Sequence, residues 1–331
     1  MNFGEAFTEY LHGEQGKFLE NCGHVDYKTL KQVLNTCRSN TLRHSCSSDS
    51  SECQCHSCPC KCFFSFSVCD QKFFSELMKE ASQIAGCFSS RVRHLLHHHV
   101  ATGMQRYVLS LRHCFKDDQK AMVLEGWMLI EYALMNAIAI RKILKYDKIH
   151  GSVNGRKFKS KLRAEHVELL QSPWLLELGA FYLNSNGSDD GGFKEASSNL
   201  SCDFNANPPV MTLMLPHLIK LEFDLTCAVC LDTVFNPCAL SCGHLFCKSC
   251  ACSSASVFLL EGLRAASPKS KCPICREVGV YTKAVHMLEL DMLLKRRCKD
   301  YWKERLTEEL VEMLTQSKLY WGTHARNAIG Y

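Results

Sequence analysis

Two stretches near the carboxyl end of the chain decide its fold: CAVCLDTVFNPCALSCGHLFCKSC at residues 227–250 and CPIC at residues 272–275. They contain four pairs of metal-ligand side chains: Cys227 and Cys230, Cys242 and His244, Cys247 and Cys250, Cys272 and Cys275. Two cysteines that flank two other residues form a knuckle, a tight turn that directs both thiolates at one metal ion. Four pairs supply two tetrahedral sites of the kind that hold structural zinc. The sequence therefore predicts two bound zinc ions.

The order of the ligands, three cysteines, one histidine and four cysteines, resembles the RING finger. In a RING the pairs interleave, so the first and third pairs hold one zinc ion and the second and fourth hold the other. Such a cross-brace replaces the hydrophobic core that a segment of about 50 residues cannot build alone. Cys238 and Cys252 lie off the pair spacing, and we expect them to take no part in metal binding.

Length and composition set wider limits. The chain has 331 residues, of which 46% are hydrophobic and 22% charged, so it has room for two domains and a sizeable core. A net charge of +5 does not indicate a nucleic-acid partner. The opening residues, MNFGEAFTEYLHG, lack the apolar core of a signal peptide, and no run reaches 18 apolar residues. We therefore expect an intracellular protein with reduced thiols and no transmembrane segment.

Residues 1–183 are predicted to be helical. Apolar residues fall on one face between Phe73 and Val100, and residues 122–145 are apolar on nearly every side, as in the central helix of a bundle. Residues 26–37 and 157–183 also have helical patterns, and the second is interrupted near Pro173. The pattern of this half indicates a helical bundle.

Three other segments have less specific patterns. The cysteine-dense insertion at residues 53–62 is interpreted as a variable loop, although its thiols leave a metal site open. Residues 184–210 are rich in Asn, Ser, Gly and Asp, and residues 184–220 are predicted to form a flexible linker. Residues 281–331 have helical periodicity, and this C-terminal helix could pack on the RING, self-associate or bind a partner.

A second resemblance covers about residues 1–183. The segments MNFG at the start, VDYKTLK at 25–31 and RKILKYDKI at 141–149 are similar to SPX domains. These are helical bundles whose basic surface binds inositol polyphosphates. The resemblance implies such a regulatory ligand on Tyr27, Lys31, Lys142 and Lys145. The lysine segment is one residue shorter than the family pattern, so the sequence leaves open whether it still binds this ligand.

The RING resemblance also implies a mechanism. Its cysteines are committed to zinc, so catalysis consists of positioning the thioester of a ubiquitin-conjugating enzyme. By resemblance an apolar groove for that enzyme consists of Val229, Leu231, Pro273 and Ile274. Arg276 matches the catalytic position that bridges the conjugating enzyme and its ubiquitin. Many RINGs have a tryptophan at the position of Ser254, and Val257, Phe258 and Leu259 are the candidates to replace its contact.

Nearly the whole chain resembles plant SPX–RING ubiquitin ligases of the nitrogen-limitation-adaptation type. QSPWLLEL at 171–178, DLTCAVCLDTVFNPCALSCGH at 224–244 and VYTKAVHMLELDMLLKRRCKDYW at 280–302 carry the match. The expected fold is mainly α, with an N-terminal SPX helical bundle at 1–183, a linker at 184–220, a two-zinc RING at 221–280 and a helical tail at 281–331.

This family resemblance implies ubiquitination of protein substrates, membrane phosphate transporters among them. The work would take place in the cytoplasm or nucleus or at the inner side of the plasma membrane, in phosphate and nitrogen homeostasis. The alternative is a non-catalytic adaptor that scaffolds partners without activating ubiquitin. The sequence does not identify the conjugating enzyme, the linkage of the ubiquitin chain or the oligomeric state.

Overall fold

The computed structural model of the protein describes residues 3–13, 22–26, 29, 32, 58–98, 104, 116–145, 153–164, 167–185, 200–215 and 219–329. The chain divides into two compact units, residues 1–96 with 131–170 and residues 97–130 with 171–331. The described part of the first unit is helical, and the second unit contains the β-sheets and all the zinc-ligand pairs. Most of the described chain is helical, as predicted.

The helices of the first unit are α1 (Phe3–His12), α2 (Cys58–Leu95), the second part of α3 (Lys116–Leu144) and α4 (Val153–Ala164). One face of α2 is buried in the core. Leu77, Ile84 and Phe88 recur on this face at helical spacing and are each at most 1% exposed. α3 is buried on nearly every side from Leu129 to Ile140. These observations confirm the predicted helical patterns over residues 73–95 and 122–144, and residues 99–100 lie outside the described residues.

Polar atoms inside the first unit attach residues 22–26 to α3. Asn136 is fully buried, and its Oδ1 accepts a hydrogen bond from the backbone N–H of Val25 at 2.9 Å. The Tyr132 hydroxyl donates to the carbonyl of Gly23 at 2.6 Å. A disulfide joins Cys22 to Cys87 of α2, with Cα atoms 5.9 Å apart. The separation of the Cα atoms lies within the range of disulfides, and the expected intracellular environment stays a prediction.

One segment of α3 meets the length and composition of a membrane span. This segment, Gln119–Leu144, is apolar enough to cross a bilayer, but 67% of its most apolar window is buried inside the protein. A central helix of a folded core has the same composition. Burial within the protein therefore accounts for its apolar character.

The second unit contains α5 (Pro173–Ser185), which packs on a sheet that the sequence did not predict. The predicted interruption is present: a 3-10 turn at Leu169–Gln171 precedes α5, and Pro173 occupies its first position, where a missing N–H costs nothing. α5 packs against an antiparallel sheet of β1 (Leu200–Asp203), β2 (Val210–Leu215) and β3 (Ile219–Asp224). A Cβ at Gly179 of α5 would lie 3.0 Å from Met211 Sδ, so glycine permits the close approach of β2.

The predicted linker at 184–220 is thus wrong over most of its second half. Leu200, Met211 and Leu213 are nearly fully buried, and β1 pairs with β2 and β2 with β3 in continuous register. Alternate burial of Met211 and Leu213 supplies the apolar face that a strand needs. The polar composition around Asn205 belongs to the β1–β2 connection rather than to a long linker.

The predicted domain boundary at residue 183 is also wrong, because α5 belongs to the second unit. Its fully buried Glu177 accepts hydrogen bonds from the backbone N–H groups of Glu289 at 2.8 Å and Leu290 at 3.3 Å. These amides begin α7 (Leu288–Arg297), so a carboxylate of α5 accepts from N–H groups that have no partner within the first turn of α7. The polar network unites α5 with the segment that follows the RING.

The remaining elements surround the zinc-ligand pairs. β4 (Pro237–Ala239) lies between β5 (Leu245–Cys247) and β6 (Val285–His286), and α6 (Lys248–Ala255) follows β5 directly. A 3-10 turn spans Leu263–Ala265, and α8 (Lys299–Ile329) ends the described chain. Because β6 pairs with β4, the predicted boundary of the RING at residue 280 is too early.

The cysteine-dense insertion also differs from expectation. Its last residues, from Cys58, already belong to α2, so the loop interpretation is wrong for them. Residues 53–57 lie outside the described residues. The same holds for most of the helix predicted at 26–37, of which Thr29 and Gln32 are helical.

Candidate metal centre and conjugating-enzyme surface

The fold collects the eight predicted ligands into two groups. Within each group the four ligand atoms lie within 4.8 Å of one another. The groups are Cys227, Cys230, Cys247 and Cys250, and Cys242, His244, Cys272 and Cys275. Pairs one and three therefore come together, as do pairs two and four, which is the interleaved arrangement that the resemblance implies.

The distances between donor atoms suit zinc. The sulfur atoms of Cys230 and Cys247 are 3.7 Å apart, and Nδ1 of His244 lies 3.4 Å from Cys242 Sγ and 3.7 Å from Cys272 Sγ. A tetrahedron with Zn–S bonds of about 2.3 Å has edges of about 3.8 Å. The thiolate-rich donor sets, one of four cysteines and one of three cysteines with a histidine, are also those of structural zinc. The residues thus fit two zinc ions.

Backbone N–H groups donate hydrogen bonds to sulfur atoms of the all-cysteine group. The N–H of Phe235 donates to Cys247 Sγ at 3.2 Å, and the N–H of Cys247 donates to Cys227 Sγ at 3.4 Å. The pKa of the Cys227 thiol is lowered, mainly because the thiols of Cys247 and Cys250 donate hydrogen bonds to its sulfur. Donors that surround a sulfur atom stabilise its thiolate, the form that binds zinc.

Two further cysteines of this segment do not join either group. Cys238 is 2% exposed and Cys252 is 1% exposed. Burial raises the pKa of both thiols, that of Cys252 to about 11. They pack as small apolar side chains, in agreement with the expectation that they play no part in metal binding.

Two of the three Cys-x-x-Cys pairs, Cys227–Cys230 and Cys272–Cys275, have the same backbone hydrogen bonds, and they are called the two knuckles from here on. In each, the N–H of the first cysteine donates to the residue five positions later, and its carbonyl accepts from the residue four positions later. The distances are 2.8 Å for Cys227 to Asp232 and for Leu231 to Cys227, and 2.9 Å for Cys272 to Glu277 and for Arg276 to Cys272. The residue after the second cysteine is left-handed in both, with φ of 66° at Leu231 and 61° at Arg276.

Comparison with known proteins also indicates a RING-type zinc finger. The family model of the RING-type zinc finger matches residues 227–268. The chain is 57% identical to the probable E3 ubiquitin-protein ligase BAH1-like of Arabidopsis thaliana, with 100% of both chains covered. It is 55% identical to the probable E3 ubiquitin-protein ligase BAH1-like 1 of Oryza sativa subsp. indica and 41% identical to the E3 ubiquitin-protein ligase NLA of Arabidopsis thaliana, again with 100% of each chain covered.

The chain belongs to the plant BAH1-like and NLA family of E3 ubiquitin-protein ligases. This finding confirms the resemblance to ligases of the nitrogen-limitation-adaptation type. The protein is a RING-type E3 ubiquitin transferase, which argues against the non-catalytic adaptor. No solved structure matches the chain.

In this ligase the four residues predicted for the conjugating-enzyme groove lie on the outer side of the knuckles. Val229 is 42% exposed, Leu231 76% and Ile274 48%, and Pro273 is also exposed. Packing around the metal would bury such apolar side chains, so exposure at each knuckle favours a docking role.

Two of the three candidates for the missing tryptophan contact, Phe258 and Leu259, pack against α8. Leu259 is 5% exposed, and its backbone N–H donates to Gln316 Oε1 at 2.8 Å. The Phe258 ring meets that of Tyr320 edge-on, with centroids 5.7 Å apart. Their neighbour Leu260 is 49% exposed and is a better candidate on accessibility.

Sequence reasoning missed the contacts that fasten α8 of the ligase to its RING. Asn236 Nδ2 donates to Glu309 Oε1 of α8 at 2.6 Å, and His286 Nε2 donates to Asn236 Oδ1. The Tyr301 hydroxyl donates to the carbonyl of Thr233 just after the first knuckle. Burial raises the pKa of the Glu309 carboxyl. The helical periodicity of the C-terminal segment left open whether it packs on the RING, and no local signal identifies these partners.

The predicted ligand-binding residues of the first unit are described only in part. Lys142 and Lys145 are exposed, and their spacing of three residues places them on one side of the end of α3. Arg141 and Lys145, together with Lys159 and Glu168, line a cavity of about 320 Å³. Arg141 lies 3.5 Å from Glu168. Tyr27 and Lys31 lie outside the described residues.

Proposed function

We propose that this ligase holds a ubiquitin-conjugating enzyme against the two knuckles, with Val229, Leu231, Pro273 and Ile274 as the apolar groove. The exposure of apolar side chains on both knuckles of a zinc-braced segment carries the proposal. Two metal ions fix the backbone below these side chains, so little conformational entropy is lost on docking. The groove then acts by orientation, because this chain contributes no nucleophile to the transfer.

Arg276 acts as the catalytic residue in the proposed mechanism. Its left-handed backbone continues the second knuckle, and its side chain is exposed beside the proposed groove residues Pro273 and Ile274. A guanidinium at this position can donate to carbonyl groups of the conjugating enzyme and of ubiquitin at the same time. The thioester is thereby restricted to a conformation that a substrate lysine can attack. Zinc supplies only the rigid frame.

A discharge assay tests this proposal. A ubiquitin-charged conjugating enzyme is mixed with the full chain and free lysine, and loss of the thioester is followed. We expect Val229→Ala with Ile274→Ala, and separately Arg276→Ala, to lower the rate by about 10-fold or more, since a buried contact or bridging cation at a docking surface is worth more than about 1.4 kcal/mol.

Matched controls come from the same unit. Arg264→Ala removes another exposed cation, and Leu319→Ala removes another exposed leucine, both away from the knuckles. Both should retain the wild-type rate. A wild-type rate for the knuckle variants, with both zinc ions retained, would rule out the proposed surface.

The first unit is proposed to bind an inositol polyphosphate through Tyr27, Lys31, Lys142 and Lys145. The support from the described residues is the exposed position of Lys142 and Lys145 and the presence of three basic residues beside Glu168 in the mainly apolar lining of the cavity. Ammonium and guanidinium groups on adjacent helices neutralise clustered phosphates by charge-assisted hydrogen bonds. Binding would report the phosphate status of the cell to the ligase.

Calorimetric titration of the full chain with an inositol pyrophosphate tests the sensor. We expect saturable binding that Lys142→Ala and Lys145→Ala weaken by about 10-fold each, since each removes a charge-assisted contact. Lys303→Ala, an exposed lysine of α8, is the control that should leave the affinity unchanged. Equal affinity in all variants would contradict the assignment of these lysines.

Membrane phosphate transporters are the proposed substrates, with action in the cytoplasm or nucleus or at the inner side of the plasma membrane. The ground for this proposal is the resemblance to ligases of the nitrogen-limitation-adaptation type. Reconstitution with a phosphate transporter in lipid vesicles tests it directly. Ubiquitin conjugated to the transporter, but not to a sugar transporter in the same vesicles, would support the proposal, and equal modification of both would contradict it.

A further inference from the structure

The disulfide between Cys22 and Cys87 is a chemical feature of the first unit that the proposed ligase mechanism does not use. It joins two residues that are 65 positions apart and connects residues 22–26 to α2. Its Cα separation of 5.9 Å lies within the narrow range over which two cysteines bond without movement of the backbone. Neither sulfur belongs to a zinc-ligand group, so oxidation of this pair removes no donor from the metal.

Residues 22–26 are also held to the helices by contacts that need no disulfide. Val25 is 1% exposed, and its backbone N–H donates to Asn136 of α3 at 2.9 Å. The backbone N–H of Asp26 donates to Glu80 Oε2 of α2 at 3.3 Å. The segment therefore has a place in the folded unit when the sulfur–sulfur bond is broken. The disulfide adds a covalent restraint to contacts that already exist, which is the arrangement that allows a bond to form and break without unfolding.

The two cysteines differ in exposure. Cys22 is 5% exposed, whereas Cys87 is half-buried. Gly86, next to Cys87 in α2, is exposed, and a Cβ at this position would meet no atom within 4 Å. The surface beside Cys87 is therefore open to a small reagent. Cys87 is the sulfur that such a reagent reaches, and Cys22 is the thiol that completes the exchange.

Oxidised glutathione, a small-molecule disulfide, is the co-reactant of this exchange in the expected intracellular environment. The thiolate of Cys87 attacks one glutathione sulfur, so that a mixed disulfide forms and one glutathione thiolate leaves. The thiolate of Cys22 then attacks the Cys87 sulfur and releases the second glutathione thiolate. Two protein thiols are oxidised, one glutathione disulfide is reduced, and the two protons pass to the glutathione thiolates. Excess reduced glutathione drives the same steps backwards.

We infer that Cys22 and Cys87 are a reversible thiol–disulfide pair that controls the opening of residues 22–26 from α2 and α3. The bond limits how far the segment moves when its hydrogen bonds break, so oxidation favours the closed form. Residues 22–26 lead directly into Tyr27, which is proposed to bind an inositol polyphosphate. One consequence rests on that proposed function: the oxidised chain binds this ligand more tightly, because the segment before Tyr27 is already ordered.

Thiol mapping of the zinc-loaded full chain tests whether the pair is reversible. The chain is equilibrated with mixtures of oxidised and reduced glutathione, alkylated and digested, and its peptides are identified by mass spectrometry. We expect a peptide linked through Cys22 and Cys87 in excess oxidised glutathione, and alkylation of both residues in excess reduced glutathione. In Cys22→Ser, which lacks the completing thiol, Cys87 should retain one glutathione. A link that survives excess reduced glutathione, or two thiols that stay unpaired in every mixture, would overturn the inference.

Hydrogen exchange tests the control of opening without any ligand. The amides of Val25 and Asp26 should exchange about 10-fold faster after reduction, because the covalent restraint on their segment is gone. The amide of Leu96, which is hydrogen-bonded at 2.9 Å just after the end of α2, is the control and should keep its rate. The double variant Cys22→Ser with Cys87→Ser should exchange at the fast rate in both buffers. Equal rates in the oxidised and reduced wild type would show that the bond does not control opening.

Calorimetric titration with an inositol pyrophosphate separates this inference from the proposed sensor. We expect the affinity of the wild type to fall about 10-fold on reduction, and the affinity of the double serine variant to be the same in both buffers. No binding in either state would contradict the sensor, whereas the exchange rates of Val25 and Asp26 would still decide the redox pair. Saturable binding of equal affinity in both states of the wild type would overturn the link between the disulfide and the ligand.

Discussion

The knuckles at Cys227–Cys230 and Cys272–Cys275 share one backbone but differ in the side chain that follows the second cysteine. Both have the same pair of hydrogen bonds and the same left-handed residue. That residue is Leu231 in the first knuckle and Arg276 in the second. The metal dictates the backbone, because two sulfur atoms must reach one ion. The next side chain is exposed in both knuckles, so it can serve the proposed roles of apolar contact at Leu231 and of charge at Arg276.

Each knuckle is also supported by a tyrosine hydroxyl, and the two tyrosines come from different parts of the chain. The carbonyl of Lys271, just before the second knuckle, accepts the hydroxyl of Tyr281 at 3.0 Å. The carbonyl of Thr233, just after the first, accepts the hydroxyl of Tyr301. One tyrosine is close in sequence and the other comes from α8. The comparison teaches that equivalent zinc turns can be held by local or by distant parts of a chain.

The largest expected effect is loss of a zinc ligand. Cys230→Ser and Cys272→Ser each remove one donor from a different ion, and each should lose at least one of two bound zinc ions and all ligase activity, since a structural zinc ion contributes on the order of 10 kcal/mol. Zinc content measured by atomic emission checks this. Cys238→Ala and Cys252→Ala are the controls and should retain both ions. Retention of both ions by either ligand variant would contradict the cross-brace.

A smaller effect should separate the roles of the two left-handed residues. Leu231→Ala should raise the Kd for the conjugating enzyme by about 10-fold, because it removes an apolar contact. Arg276→Ala should lower the maximal discharge rate by about 10- to 100-fold at saturating conjugating enzyme, because it acts on the bound thioester. Titrations of discharge rate against conjugating enzyme distinguish the two. If both variants change the same parameter, the division of labour between the knuckles is wrong.

The left-handed backbone at Leu231 and Arg276 should lower the free energy of unfolding by about 1–2 kcal/mol at each position, which is the cost of this conformation for a residue with a Cβ. Leu231→Gly and Arg276→Gly should therefore be more stable than Leu231→Ala and Arg276→Ala by about that amount. Denaturant midpoints in zinc-saturated buffer provide the measurement. Ser254 lies in α6, where glycine should instead be less stable than alanine by about 1 kcal/mol. Equal stability of the glycine and alanine variants at the knuckles would refute this origin of the conformation.

The smallest effect concerns the two tyrosines. Tyr281→Phe and Tyr301→Phe each remove one hydrogen bond to a carbonyl, so each should lower the free energy of unfolding by about 1 kcal/mol. Burial raises the pKa of both hydroxyls, that of Tyr281 to about 12, so both are protonated donors at pH 8. Thermal unfolding at pH 8 checks the loss. Unchanged stability of both Tyr281→Phe and Tyr301→Phe would contradict the role of these two hydroxyls.

The sequence predicts the parts of the site that depend on neighbouring residues, and it does not predict the contacts between residues far apart in the chain. The ligand pairs are recognisable because a knuckle is a property of four consecutive residues. Their grouping into two sites also agrees with the family resemblance. The candidates for the missing tryptophan contact could not be ranked, because Phe258 and Leu259 are occupied by residues of α8 that lie more than 50 positions away.

The fold shows the same limit. The sheet of β1, β2 and β3 escaped prediction because its strands have only four to six residues and stand among polar residues. Alternation of Met211, Thr212 and Leu213 was a weak signal for it. The boundary at residue 183 failed because Glu177 is a helical residue by pattern, and its partners at the start of α7 are 112 and 113 residues away.

The sequence by itself determined the metal-ligand set, the two helical patterns of the N-terminal half and membership in a ligase family. Each depends on spacing along the chain, and the geometry of a helix or a knuckle converts spacing directly into position. Only the tertiary structure decided that α5 joins the RING unit, that α8 is braced by Asn236 and Tyr301, and which face of α8 is left exposed. Those contacts join residues far apart in the chain, and their free energy exists only after the chain has folded back on itself.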